Sequence, residues 1–99
     1  MAQIASTIPD YPREEIHMEI PDPDLDFSTA KDLAKEKART HCSDPMLLSW
    51  LNGKTGEFYP NVDCGAGKKP AWIVFAESRG GNLLIDVNGG EYVFFYLML

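Results

Sequence analysis

At 99 residues, with 44% hydrophobic and 24% charged side chains, the chain has the composition of one globular domain with a core, too short for two and too apolar for disorder. A formal net charge of -6 and nine scattered Lys and Arg residues argue against a nucleic-acid role and against anionic membrane surfaces. No stretch approaches the roughly 20 apolar residues of a spanning helix.

The opening MAQIASTIPD has neither the basic nor the apolar region of a signal peptide. A cytoplasmic location is therefore expected, with Cys42 and Cys64 as reduced thiols. Residues 1–13 lack periodicity and contain Pro9 and Pro12, which predicts an extended arm. From Glu15 to Ile20 the pattern changes: Ile16, Met18 and Ile20 alternate with His17 and Glu19, as in a strand with one buried face. Pro21 and Pro23 end it.

The only clear helix is predicted from about Thr29 to His41. Ser28 or Thr29 can cap it, Asp32 completes an approximate capping box with Thr29, and Asp22, Asp24 and Asp26 suit the positive end of its dipole. Its apolar stripe is Ala30, Leu33, Ala34 and Ala38, opposite Lys35, Glu36 and Arg39. Burying one leucine contributes about 2 kcal/mol and an alanine well under that, so this helix docks closely but covers little apolar area.

Ser43-Asp44-Pro45 turns the chain into a strand from Met46 to Leu51, with Met46, Leu48 and Trp50 on one face and Leu47 and Leu51 on the other. Asn52 to Gly56 is a turn, Glu57 to Tyr59 a short return strand, and Pro60 to Lys69 the main connecting loop. The remainder reads as three strands, Ala71 to Glu77, Asn82 to Val87 and Tyr92 to Leu99, joined by turns at Gly80-Gly81 and Gly89-Gly90. The expected fold is a single α+β domain over residues 1–99, one helix on a mainly antiparallel sheet that ends in a three-stranded meander.

The run KPAWIVFAESRGGNLLIDVNGGEYVFFY, with PMLLSW at Pro45 to Trp50 and the step Pro60-Asn61-Val62-Asp63-Cys64, resembles a small prokaryotic family of uncharacterised domains of about this length. The resemblance implies no activity, cofactor or active site. The apolar ending Leu97-Met98-Leu99 departs from the polar or basic ending of that family.

Four groups of residues suggest chemistry. Asp22-x-Asp24-x-Asp26 opens like a calcium loop, but Phe27 and Leu33 stand where the turn glycine and the bidentate acid belong. Gly65-Ala66-Gly67-Lys68-Lys69 misses both the Walker and the dinucleotide spacing. His41, Cys42, Asp63, Cys64 and distant His17 have no pre-arranged metal spacing, so no metal or cofactor is assigned; a reactive Cys64 would need a basic neighbour. Glu77, Arg79 and Asp86 surround the first C-terminal turn, where carboxylate–Arg79 pairing or a turn hydrogen bond is the plainer role and ligand binding the alternative. Trp50, Phe58, Tyr59 and Trp72 read as core.

Two functions follow as expectations. The last strand is apolar on both faces while one lean helix must cover the sheet, so self-association as a homodimer, or else association of the same surface with another protein, is expected through Tyr92, Phe94, Tyr96, Leu97, Met98 and Leu99. The alternative is a small-molecule-binding protein or enzyme with a site near Cys64, His41 or Arg79, to which Glu77 and Asp86 also contribute.

Overall fold

The computed structural model describes residues 13–60 and 70–98, in the order β1 (Glu14–Met18), α1 (Phe27–Arg39), β2 (Met46–Asn52), β3 (Phe58–Tyr59), α2 (Ala71–Ser78), β4 (Leu83–Val87) and β5 (Tyr92–Leu97). The expected arm falls almost wholly outside the described residues, as do the glycine-lysine loop, Cys64 and Leu99. The architecture is α+β, with two helices and a mixed five-stranded sheet in the order β1-β4-β5-β2-β3. β1 pairs with β4 in parallel and every other pairing is antiparallel. The late hairpin β4-β5 therefore sits between β1 and β2, and α1, which joins those two strands, crosses over it.

The main correction to the sequence reading is the segment from Ala71 to Ser78, which is a helix and not the first strand of a meander. A short apolar run fits either period, and here the period of four wins: Trp72 and Ala76 are its buried pair. Gly80-Gly81 ends the helix and does not turn a hairpin. The Gly80 N–H donates to the Glu77 carbonyl and the Gly81 N–H to the Ala76 carbonyl, with Gly80 at φ 84°. That double closure is the Schellman motif, which needs a left-handed residue that glycine supplies without strain. The second turn does join two strands. Asn88, Gly89 and Gly90 all have positive φ between Val87 and Tyr92, which pair across β4 and β5.

The expected helix starts slightly earlier, and its cap is Asp26, whose Oδ1 accepts the Thr29 N–H at 2.8 Å. Its stripe packs as the sequence indicates. Ala30, Ala34 and Ala38 are fully buried, and their small side chains let α1 lie close on Leu83, Ile85, Val87, Phe94 and Tyr96. The faces of β2 are the second correction. A register shift between Leu47 and Ser49 places Leu47 and Trp50 with the α1 core, and Leu48 and Leu51 with the α2 core.

A helix thus stands on each face of the sheet. α1 covers Leu83, Ile85, Val87, Tyr92, Phe94 and Tyr96; α2 covers Leu84, Val93 and Phe95 together with Leu48. The doubly apolar β5 has the cover on both sides that its sequence demands. Within one chain Tyr92, Phe94 and Tyr96 are buried, while Leu97 and Met98 are half-buried. The surplus of apolar strand surface disappears once Ala71–Ser78 is counted as cover and not as sheet.

Candidate functional site

The parallel pairing of β1 with β4 creates the most promising chemistry. It sets Glu15 opposite Leu84 and His17 opposite Asp86, so the odd-numbered residues of β1 share the α2 face with the even-numbered residues of β4. Ile16 and Met18 point the other way, into the α1 core. The alternation of β1 is therefore real, but its polar face looks along the sheet toward α2.

On that face a chain of ion pairs runs from α2 to β4. The Arg13 guanidinium donates from Nη1 to Glu77 Oε2 at 3.3 Å and from Nε to Glu15 Oε2 at 3.2 Å. Its side chain is only 4% exposed and lies over the Phe95 ring, 5.3 Å from the centroid. Next along the chain, His17 Nε2 is 3.8 Å from Glu15 Oε1, and His17 Nδ1 is 3.1 Å from Asp86 Oδ2. Nδ1 is thus the ring nitrogen that meets Asp86, and Nε2 the one turned toward Glu15. Asp86 Oδ1 in turn accepts the Gly90 N–H at 2.6 Å, which ties the β4-β5 turn to the site.

Beside this chain lies a pocket of about 170 Å³ lined by Arg13, Glu15, His17, Trp72, Ile73, Leu84, Asp86 and Val93. Leu84 and Val93 form an apolar floor from the sheet, Trp72 and Ile73 a wall from α2, and the charged groups stand along the β1 side. Larger hollows at Glu19–Pro23 and at Lys31–Lys35 are more polar and lack this convergence of an apolar floor with a histidine–carboxylate pair.

The residues singled out from sequence distribute unevenly. Glu77 and Asp86 belong to the same charged chain, but the side chains they meet among the described residues include Arg13 and His17 and not Arg79. Arg79 sits elsewhere, its guanidinium 3.8 Å from the Phe75 ring centroid and its Nη1 donating to Ser78 Oγ. His41 Nδ1 lies 3.4 Å from Glu14 Oε2 on the opposite side of β1, and half-buried Cys42 follows it. Cys64 is outside the described residues. Arg13 and Glu15 are the site residues that sequence reasoning missed, and it weighed His17 only as a distant partner of His41 and the cysteines, because β1 gives no sign of its parallel partner. Asp22 Oδ1 accepts the Asp24 N–H and Asp26 caps α1, so these aspartates serve the start of the helix.

A separate polar network holds the other end of the molecule. Lys54 Nζ and the Tyr92 hydroxyl both donate to the Leu25 carbonyl, and Lys54 also pairs with Glu91 at 2.9 Å. Glu91 raises the pKa of Lys54, while hydrogen bonds from Asn88 and then Lys54 lower that of Glu91. Asn88 donates to the Ile20 carbonyl and accepts the Ile20 N–H, fixing the end of β1 against the β4-β5 turn. These contacts are structural, and none of them faces the pocket.

The comparisons with known proteins agree on the fold and carry no activity. The chain is 38% identical over 84 residues to an uncharacterised protein of Archaeoglobus fulgidus, across 78% of this chain and 89% of that one. It also superposes on the crystal structure of a novel protein from the same organism with a TM-score of 0.75 at 32% identity, over 88% of this chain and 95% of the other. The family model described as Domain of unknown function (DUF5619) matches residues 13–96, from the buried arginine of the charged chain into β5, and the protein belongs to that family.

Proposed function

We propose that the protein is a small-molecule-binding domain whose site is the pocket between β1, β4 and α2. The observation that supports this reading is the meeting of an apolar floor with the Glu15–His17–Asp86 array in one cavity. The described lining contains a histidine–carboxylate pair but no hydroxyl, thiol or amine nucleophile, so binding accounts for it better than covalent catalysis. The test is a fragment screen by NMR, following the Trp72 indole N–H and the His17 ring protons. Fragments that shift both signals, and that lose the effect in an Ile73→Trp variant with a filled pocket, support the reading. Shifts absent from the unmodified protein at millimolar fragment overturn it.

Self-association is a second reading, and α2 now supports it in place of the C-terminal strand. Ile73, Val74 and Phe75 are half-buried on a helix that is apolar nearly all round, a composition suited to a covered helix. Light scattering coupled to gel filtration would show a dimer at tens of micromolar that Val74→Glu dissociates. A monomeric mass throughout rejects it.

A further inference from the structure

We infer that the protein self-associates through its β1 edge, where the strand pairs antiparallel with the β1 of a second copy and the two sheets join into one. This surface is distinct from the outer face of α2, and the inference stands independently of the pocket reading. The strand order leaves β1 and β3 at the edges of the sheet among the described residues. β3 is only two residues long and runs into Pro60, which has no N–H to offer, so it is a poor template. β1 has five residues without proline, and the two helices pack mainly on β2, β4 and β5, away from its outer side.

The ladder with β4 fixes which backbone groups are open. The Glu14 N–H donates to the Asn82 carbonyl and the Met18 carbonyl accepts the Asn88 N–H, so the even-numbered residues of β1 bond inward. Glu15 and His17, and Glu19 just beyond the strand, therefore turn their N–H and C=O outward, with no backbone partner among the described residues. An antiparallel copy satisfies these groups where odd-numbered residues face odd-numbered residues.

Charge and proline choose among the registers this allows. With His17 on the two-fold axis, Glu15 faces the partner's Glu19; with Glu15 on the axis, it faces the partner's Glu15. Both oppose carboxylate to carboxylate, which is destabilising. With Met18 on the axis, Glu15 faces the partner's Pro21, which has no N–H. With Ile16 on the axis, Glu15 faces the partner's His17 at two symmetric positions, and Arg13 faces the partner's Glu19 just beyond the strand. Each of these pairs sets a carboxylate against a donor. The His17 side chain is open to such a neighbour, being 63% exposed. On the opposite face Ile16, which packs against the α1 core, meets its own copy and continues that core across the axis. Because Glu15 and His17 lie on the face of the pocket, the partner's Glu15 and His17 also border it on the β1 side.

Sedimentation equilibrium of the full chain should show a monomer–dimer transition below about 1 mM, since an edge strand of this length makes a small interface. His17→Glu sets carboxylate against carboxylate at both symmetric positions and should weaken the dimer about tenfold, while Val74→Glu leaves it intact. Cross-linking in a Cys42→Ser, Cys64→Ser background reads the register. Ile16→Cys brings its two Cα atoms to about 4.5 Å across the axis, within disulfide range, and should oxidise to a covalent dimer. His17→Cys holds its pair beyond roughly 7 Å and should not. Faster oxidation of His17→Cys than of Ile16→Cys, or none of Ile16→Cys, overturns the inference. So does a dimer that Val74→Glu dissociates and His17→Glu spares, which favours the α2 surface instead. A monomeric mass throughout also overturns it, and protection of the Glu15 and His17 amides from hydrogen exchange would then show the edge to be filled by the same chain.

Discussion

On the α1 side the sheet presents Leu83, Ile85, Val87, Tyr92, Phe94 and Tyr96 to three buried alanines; on the α2 side Leu84, Val93 and Phe95 meet Trp72 and Ala76, and charged side chains occupy the flank. The α1 side is closed by a long capped helix at close approach. The α2 helix is eight residues long, lacks a side-chain cap, and leaves the flank by β1 to Arg13, Glu15 and His17. A small domain needs one well-filled core to be stable. The other side can then leave a cavity and hold polar groups that a core would exclude, which is the room the proposed binding site uses.

The largest contrast should come from truncating each side. Phe94→Ala removes a fully buried ring from the α1 core and is expected to cost about 3–5 kcal/mol. Ile73→Ala, half-buried at the pocket wall, should cost under about 1.5 kcal/mol. Urea unfolding measures both, and equal losses would break the division of labour.

Alkaline titration comes next. Burial, with a contribution from the Asp32 carboxylate, pushes the Tyr96 phenol up to about 12. An unfolded tyrosine ionises near pH 10, so the native state holds the proton more tightly than the unfolded chain does. The stabilisation is complete below about pH 10 and is lost as pH rises from there to about 12, a fall of about 2 kcal/mol. Tyr96→Phe should remove that fall. Because the Tyr96 hydroxyl is buried without a hydrogen-bond partner among the described residues, the replacement should not destabilise the protein at neutral pH. Stability measured from neutral to alkaline pH in both proteins decides the point.

A smaller effect is expected at the end of α2. Gly80→Ala forces a side chain onto a backbone at φ 84° and should cost about 1 kcal/mol in urea unfolding, without closing the pocket. The smallest effect is in acid. Hydrogen bonds from the Thr29 backbone N–H and then its hydroxyl lower the Asp26 pKa, and Asn88 followed by Lys54 lowers that of Glu91. Their stabilisation is present above the ordinary carboxylate range, near pH 4, and is lost as pH falls through the depressed native values. Melting temperatures measured between pH 6 and about pH 3 should fall less in Asp26→Asn than in the unmodified chain.

Much of the fold was legible because its signals are local. The alternation of Ile16 and Met18, the alanine stripe of α1 and the glycines between Val87 and Tyr92 each report a period or a turn within a few residues. The helix at Ala71–Ser78 also left a local sign, Pro70 before it and Gly80 after it, a pairing typical of helix starts and stops. The apolar run between them satisfies a strand period equally well, and a glycine pair also fits a hairpin turn. Half of the charged chain was legible in the same partial way. Glu77 and Asp86 could be singled out as polar groups in an apolar region, but Arg13 and His17 reach them across 64 and 69 positions of sequence.

Composition and short-range pattern alone determined that the chain has a core, a capped amphipathic helix and strands that need burial on both faces, since those properties depend on neighbours in sequence. Tertiary structure alone decided that Ala71–Ser78 is a helix, that β2 shifts register at Leu47, and that β1 lies parallel to β4. Each of those outcomes depends on which distant surface is available to pack against, and the pocket exists only where all the distant partners have met.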